Sequence, residues 1–155
     1  MSAQFDYDYF LSKCRSFCSY QDRSLGEAKA KLQSWHIRDN VSEKIIKTLK
    51  KEDVINEERF CRSFVRGKFR INKWGKNRIM FELIKKGIPE LMVQIGLDEI
   101  DDKEYSKTIA KLIKTKYKEL KKKDSANPKG KIARYMIAKG FESSLIWTEI
   151  NKLYK

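Results

Sequence analysis

Apolar residues recur three and four positions apart along most of this chain, the spacing that gathers them on one face of an α-helix. The clearest stretch is WGKNRIMFELIKKGIP, from Trp74 to Pro89. Ile79, Met80, Leu83 and Ile84 would share its apolar face, and Lys76, Arg78, Lys85 and Lys86 its basic one. Gly87 is placed to end the helix, because a residue without a Cβ adopts a positive φ at least cost. Ile88-Pro89 then opens the next element, since proline suits a first helical turn.

The same phrase returns. PKGKIARYMIAKGF, from Pro128 to Phe141, aligns with it at an offset of 53, setting Ile132, Met136, Ile137 and Gly140 on Ile79, Leu83, Ile84 and Gly87. A weaker copy from Ser24 to Ile37 aligns at 51, with Ala28 and Leu32 on Ile79 and Leu83, and His36 where the glycine stands. The segments that follow stay in step: Val41, Met92 and Leu145; Ile46, Leu97 and Ile150; Leu49, Ile100 and Leu153. A period near 50 implies repeated units whose neighbours complete one another's cores.

Each unit reads as three helices. In the first, Phe5, Tyr9, Phe10, Cys14, Phe17 and Cys18 predict one helix over residues 4–20. Ser24 with Glu27 is a capping box, opening a helix to about Trp35, and Asn40 or Ser42 would cap a third holding Val41, Ile45, Ile46 and Leu49. The second unit begins near Asn56 with Phe60, Phe64 and Val65 on one face, then the Asn72–Gly75 turn, the phrase above, and a helix from Pro89 to about Leu97. The third opens at Asp101-Asp102, which suit a helix N-terminus. Its long first helix buries Tyr105, Ile109, Leu112, Ile113 and Leu120, and a loop at 124–128 leads to the last two helices. The expected architecture is all-α, a tandem array of three three-helix, helix-turn-helix-like units at 1–55, 56–100 and 101–155.

Charge adds direction to this scaffold. The 155 residues carry a formal net charge of +14, which points to a polyanionic partner. The excess rises along the chain. Ten basic residues face eight acidic ones in the first unit, ten face six in the second, and fifteen face seven in the third. Arg62 to Arg78 holds seven basic residues and no acidic one. Lys103, Lys107, Lys111, Lys114, Lys118 and Lys121 form a stripe along one side of the long helix. Candidate nucleic-acid contacts are Arg66, Lys68, Arg70, Lys73, Lys76, Arg78, Lys85 and Lys86, with Lys129, Lys131 and Arg134 at the matching place in the third unit. Lysine outnumbers arginine among the basic residues, and a lysine is a point charge rather than a bidentate base reader, so contact would follow shape and phosphates.

Catalytic chemistry is not indicated. No His–Cys, Ser–His or paired-carboxylate constellation appears; Glu57-Glu58 and Asp101-Asp102 are helix starts. Cys14, Cys18 and Cys61 make no CxxC pair, which speaks against a metal site or disulfide framework and fits a reducing compartment; Cys14 and Cys18 read as small buried hydrophobes. No cofactor is implied. His36, the single histidine, reads as a helix cap, and Trp35 and Trp147 as core. Trp74 is expected to pack on the neighbouring helix; exposed, it would be a stacking or docking group. MSAQFDYDYF lacks the basic flank and apolar run of a signal peptide, and no stretch reaches membrane-span length, so a cytoplasmic protein is expected.

Arg23-Ser24 before a helix, ERFCRSFVRGKFR and WGKNRIMFELIKKGI together resemble the RecX family of regulatory proteins. The features that carry the resemblance are Phe60, Phe64, Val65, Arg66, Arg70, Gly75, Arg78, Ile79, Leu83, Lys86, Gly87 and Ile88. It spans about residues 20–155 and is most specific between Glu58 and Pro89. The family's Gly-x-Gly turn is Lys73-Trp74-Gly75 here, one glycine short, and its acidic pair before the phenylalanine is Asn56-Glu57-Glu58. The resemblance implies an elongated, curved, monomeric and non-catalytic modulator of the RecA recombinase. It would lie in the groove of the RecA–single-stranded DNA filament, limiting filament growth and suppressing strand exchange, ATP hydrolysis and co-protease activity, with free DNA a secondary partner. The alternative is a non-catalytic helix-turn-helix DNA-binding protein using Gly75–Gly87 as its recognition helix, which would predict a dimer on a palindromic site.

Overall fold

The computed structural model describes residues 2–154, and among them there are nine helices and no strand. They run α1 (Ala3–Tyr20), α2 (Leu25–Ser34), α3 (Asp39–Lys51), α4 (Glu57–Arg70), α5 (Lys76–Lys85), α6 (Glu90–Leu97), α7 (Asp102–Lys122), α8 (Pro128–Ala138) and α9 (Ser143–Leu153). No described helix is long and apolar enough to cross a membrane.

Local chemistry sets the ends. The Ser24 hydroxyl accepts from the Glu27 N–H at 3.1 Å, and the Glu27 carboxylate accepts from the Ser24 N–H at 3.5 Å, closing the predicted capping box. Asn56 and Asp101 cap α4 and α7 by accepting from the N–H of Arg59 and Glu104. The predicted Asn40 or Ser42 cap does not form: α3 begins two to four residues early at Asp39, after Arg38, which makes no side-chain cap. The glycine register of the repeat is a backbone fact. His36, Gly87 and Gly140 follow α2, α5 and α8 with φ of +54°, +82° and +98°. His36 thus ends its helix by taking the left-handed conformation itself, donating its N–H to the Gln33 carbonyl at 3.0 Å.

Ala28 and Leu32 in α2, Ile79 and Leu83 in α5, and Ile132 and Met136 in α8 are all buried, in step as the repeat requires. Several expectations shift. Ile84 and Ile137 keep step with each other but lie outside, at 51% and 50% exposure. At the first apolar step of α6 and α9 the fully buried residues are Val93 and Ile146, one residue beyond the expected Met92 and Leu145. Phe5 and Tyr9 are exposed, while Leu11 takes the buried place in α1 beside Cys14 and Cys18. Trp147 is on the surface and not in the core, and Phe64 and Leu112 are only partly buried. Cys61, in α4, is buried like the other two cysteines, and burial pushes its thiol up to about 11.

Two cores result. One joins Leu11, Cys14, Cys18, Ala28, Leu32, Val41, Ile45, Ile46, Leu49 and Ile55. The other is continuous through α4–α6 and α7–α9. Mutual completion of cores therefore holds between the second and third triplets, whereas the first closes its own. The accessible surface of 9853 Å² exceeds the roughly 8,200 Å² expected of a compact monomer of this mass, as an extended array of small cores requires.

The triplets meet differently at the two joints. Between α1–α3 and α4–α6 the side chains do most of the linking: Arg59 reaches Asp22 at 3.1 Å and donates to the Asp53 and Val54 carbonyls at 3.1 and 3.0 Å, and Lys86 reaches Glu27 at 3.8 Å. Between α4–α6 and α7–α9 the main chains lock. The Gly75 N–H donates to the Lys139 carbonyl at 2.7 Å and the Asn77 N–H to the Gly140 carbonyl at 2.9 Å. A Cβ at Gly75 would fall 2.3 Å from the Gly140 carbonyl carbon and the Phe141 nitrogen. Beside this contact the Tyr105 hydroxyl accepts from the Lys76 N–H at 3.0 Å and donates to Glu142. Burial and the Glu142 carboxylate raise the phenol's pKa well above its usual value, so the hydroxyl keeps its proton as donor.

Candidate nucleic-acid interface

The eleven basic candidates fall into distinct settings. Arg66, on α4, pairs with Glu99 at 3.2 Å. Its neighbour Arg62 bonds Glu58 and Glu99, both at 2.7 Å. The two guanidiniums, Arg62 first, hold the Glu99 carboxyl below its usual pKa. Arg70 reaches Glu104 at 3.6 Å and Lys76 reaches Asp102 at 3.9 Å, both across the locked joint. Arg66, Arg70 and Lys76 thus have carboxylate partners inside the molecule. Lys73 and Lys85 are exposed without an ion pair among the described residues, and so is Arg134. Lys129 lies over the Tyr154 ring at 4.8 Å, and Lys131 bonds Ser125.

The remaining three, Lys68, Arg78 and Lys86, come together around aromatic rings. Trp74 packs against the core as expected, and two cations lie over its ring: Lys68 at 4.9 Å and Arg78 at 4.1 Å from the ring centre. Lys68 also lies over Phe64 at 5.5 Å, and Lys86 over the same ring at 5.8 Å. Toward the C-terminus, Arg78 neighbours Lys139, whose pKa is lowered by burial and then by that guanidinium. Lys139 lies 5.7 Å from the Tyr135 ring, which Lys116 approaches at 4.8 Å. Toward the N-terminus, Glu27 joins Lys86 to Arg23 at 3.8 and 3.9 Å. Arg23 stacks on Phe17 at 3.9 Å, Lys31 spans Phe17 and Trp35, and Lys13 spans Trp35, Phe10 and Tyr9.

These contacts form a chain of cations and rings from α1 to α8 whose alternation breaks twice, at the carboxylate of Glu27 and where Arg78 neighbours Lys139 directly. Each cation–aromatic contact is worth about 0.5–1 kcal/mol at an exposed site. Their effect here is to order long side chains while leaving charge at the surface. With Lys68 and Arg78 both over the Trp74 ring, the band offers phosphates a row of positioned charges.

Family models and solved structures agree on what the scaffold is. The model described as the second three-helix domain of RecX matches residues 56–97, and that of the third domain matches 103–149, together more than half of the chain. The chain belongs to the RecX family. The regulatory protein RecX of Clostridioides difficile is 30% identical over 142 residues, covering 92% of this chain and 66% of that protein. RecX of Clostridium acetobutylicum is 27% identical over 154 residues, covering 97% and 69%. The chain thus spans about two thirds of the length of these RecX proteins. The crystal structure of RecX from Lactobacillus salivarius superposes with a TM-score of 0.87 at 27% identity, over 97% of both chains.

Within this RecX fold, Lys13, Lys31, Lys116, Tyr135 and Lys139 were not foreseen as members of the site. Their links are lateral contacts between helices, and the sequence signal available was only that aromatic and basic residues alternate at helical spacing. The lysine stripe of α7 lies outside the band altogether. α5, the recognition helix of the alternative reading, turns Phe81 and Ile84 to solvent at 64% and 51% exposure, alongside the exposed Asn77, Arg78 and Lys85.

Proposed function

We propose that this protein regulates RecA by binding the RecA–single-stranded DNA filament along its groove, inhibiting ATP hydrolysis, strand exchange and co-protease activity and so restraining DNA repair. It acts without catalysis, as a cytoplasmic monomer, through three units at 1–55, 56–100 and 101–155. The observation that carries the reading is the cation–aromatic band running through all three helix triplets of a RecX fold. A filament groove that contains DNA is long and negatively charged, and an array of small helical units supplies matching length. A row of ordered lysines and arginines attracts phosphates by counterion release, without reading bases. The candidate contacts are accordingly ranked by their place in the band: Lys68, Arg78 and Lys86 directly, with Lys73, Lys85, Lys129, Lys131 and Arg134 flanking, and Arg66, Arg70 and Lys76 holding the scaffold.

The test is RecA ATPase on single-stranded DNA with this protein titrated at two salt concentrations. Inhibition below one protein per RecA, weakening as salt rises, is expected. Unchanged hydrolysis at saturating protein and low salt would refute it. Reversing Lys68, Arg78 and Lys139 to Glu should abolish inhibition with the helical circular-dichroism signal intact, while Arg66→Glu with Arg70→Glu should act mainly through stability.

A further inference from the structure

The lysine stripe of α7 has no part in the band. Lys103, Lys107, Lys111, Lys114, Lys118 and Lys121 are all exposed and span about 27 Å of helix at 1.5 Å per residue. None has an ion pair among the described residues. The carboxylates of the same helix are engaged elsewhere: Asp102 with Lys76, Glu104 with Arg70, and Glu119 with Lys116 and Lys123. At about 100° per residue, the stripe is centred roughly 170° around α7 from Lys116, the residue through which this helix joins the band. The stripe therefore occupies the outward side of α7, away from the face through which this helix reaches the band.

A solvated helix face usually interleaves signs, because like charges one turn apart repel. The outward arginines of α4 are balanced in that way by Glu58 and Glu99. The α7 stripe keeps a repulsion that one glutamate in each turn would remove. It holds no aromatic, no arginine and no apolar residue. A protein partner would need an apolar centre, and lysine is depleted from such interfaces. Stable seating on a membrane needs an apolar helix face as well as charge, and that of α7 lies in the core. A line of point charges at intervals of about 4.5–6 Å suits a phosphodiester chain.

We infer that the outward face of α7 binds the phosphate backbone of a second nucleic-acid segment, making the molecule bivalent, with one segment on the cation–aromatic band and another on the lysine stripe. This rests on the reading of the band as a phosphate-binding surface, and not on inhibition of RecA.

The experiment uses the full chain and two unrelated DNAs. A 30-nucleotide single strand on beads is saturated with protein and washed, then offered a fluorescent 30-base-pair duplex. Wild type should retain the duplex. The variant with Lys107, Lys111, Lys114 and Lys118 changed to Gln, a good helix former, should lose that capture more than tenfold while binding the bead-held strand within threefold. Undiminished capture by the variant would overturn the inference, as would failure of the loaded wild type to retain duplex. Displacement of the duplex by poly-glutamate as readily as by unlabelled duplex would assign the stripe to an acidic protein and overturn it too. Capture without effect on RecA ATPase would sink the filament reading and leave the bivalency standing. Loss of all binding in the α7 variant, with none lost on reversing Lys68, Arg78 and Lys139, would refute both the band and the bivalency.

Discussion

The two joints of this molecule solve one problem with different materials. α4–α6 and α7–α9 share a core, exchange main-chain hydrogen bonds at Gly75 and Asn77, and leave no room for a Cβ where they touch. α1–α3 close their own core and meet α4–α6 through exposed ion pairs such as Arg59–Asp22. Geometry is specified at the first of these contacts by steric exclusion, which salt does not weaken. At the second it is specified by charges, which salt screens. The difference predicts a six-helix body whose joint resists salt and a first triplet whose placement is more sensitive to it.

The largest effect that would break this contrast is at Gly75. Gly75→Ala drives a methyl group into main chain that cannot rotate away, and should destabilise α4–α9 by about 3 kcal/mol, read as a lowered urea midpoint. A midpoint equal to wild type would show that the joint yields. Next is Tyr105→Phe, which keeps the rings of Phe69 and Phe141 in contact but leaves the Lys76 N–H without its partner, at a cost of about 2 kcal/mol; the check is thermal unfolding. Smaller and opposite in sign is Lys73→Gly. Lys73 stands at φ +57°, where the family's turn has its missing glycine, and the change should raise stability by about 1 kcal/mol without altering the helical signal. Smallest is Arg59→Ala, worth under about 1 kcal/mol in unfolding. Its consequence should appear in the distance between labels on α2 and α5, broadened as it would be in wild type at high salt. A label distance indifferent to both would erase the distinction between the joints.

Much of this scaffold was legible in the sequence because it is local. The Ser24–Glu27 box, the Asn56 and Asp101 starts, and the stops at His36, Gly87 and Gly140 each depend on a few adjacent residues. So did the buried pairs Ala28–Leu32, Ile79–Leu83 and Ile132–Met136. Periodicity misled at Ile84 and Ile137, because it reports that apolar residues share a side and not whether anything covers that side. It slipped by one at Val93 and Ile146, since Met92–Val93 and Leu145–Ile146 are both apolar and only packing chooses between them. The site was less legible. Basic residues were easily found, but whether an arginine faces a glutamate, as Arg66 does Glu99, or an indole, as Arg78 does Trp74, is decided by helices brought together from distant parts of the chain.

The contact of Gly75 with Gly140 has a consequence for how such a sequence can change over time. When a side chain crowds another, a larger residue on one side is commonly tolerated after a smaller one appears opposite. Here each glycine abuts the other's neighbourhood of main chain: a Cβ at Gly75 meets the Gly140 backbone, and one at Gly140 meets the backbone and Cβ of Arg78. There is no side chain left to shorten. Neither position has a compensating partner, so drift at this joint has no intermediate step, and variation must be accommodated in the ionic joint instead, where one charged pair can be exchanged for another.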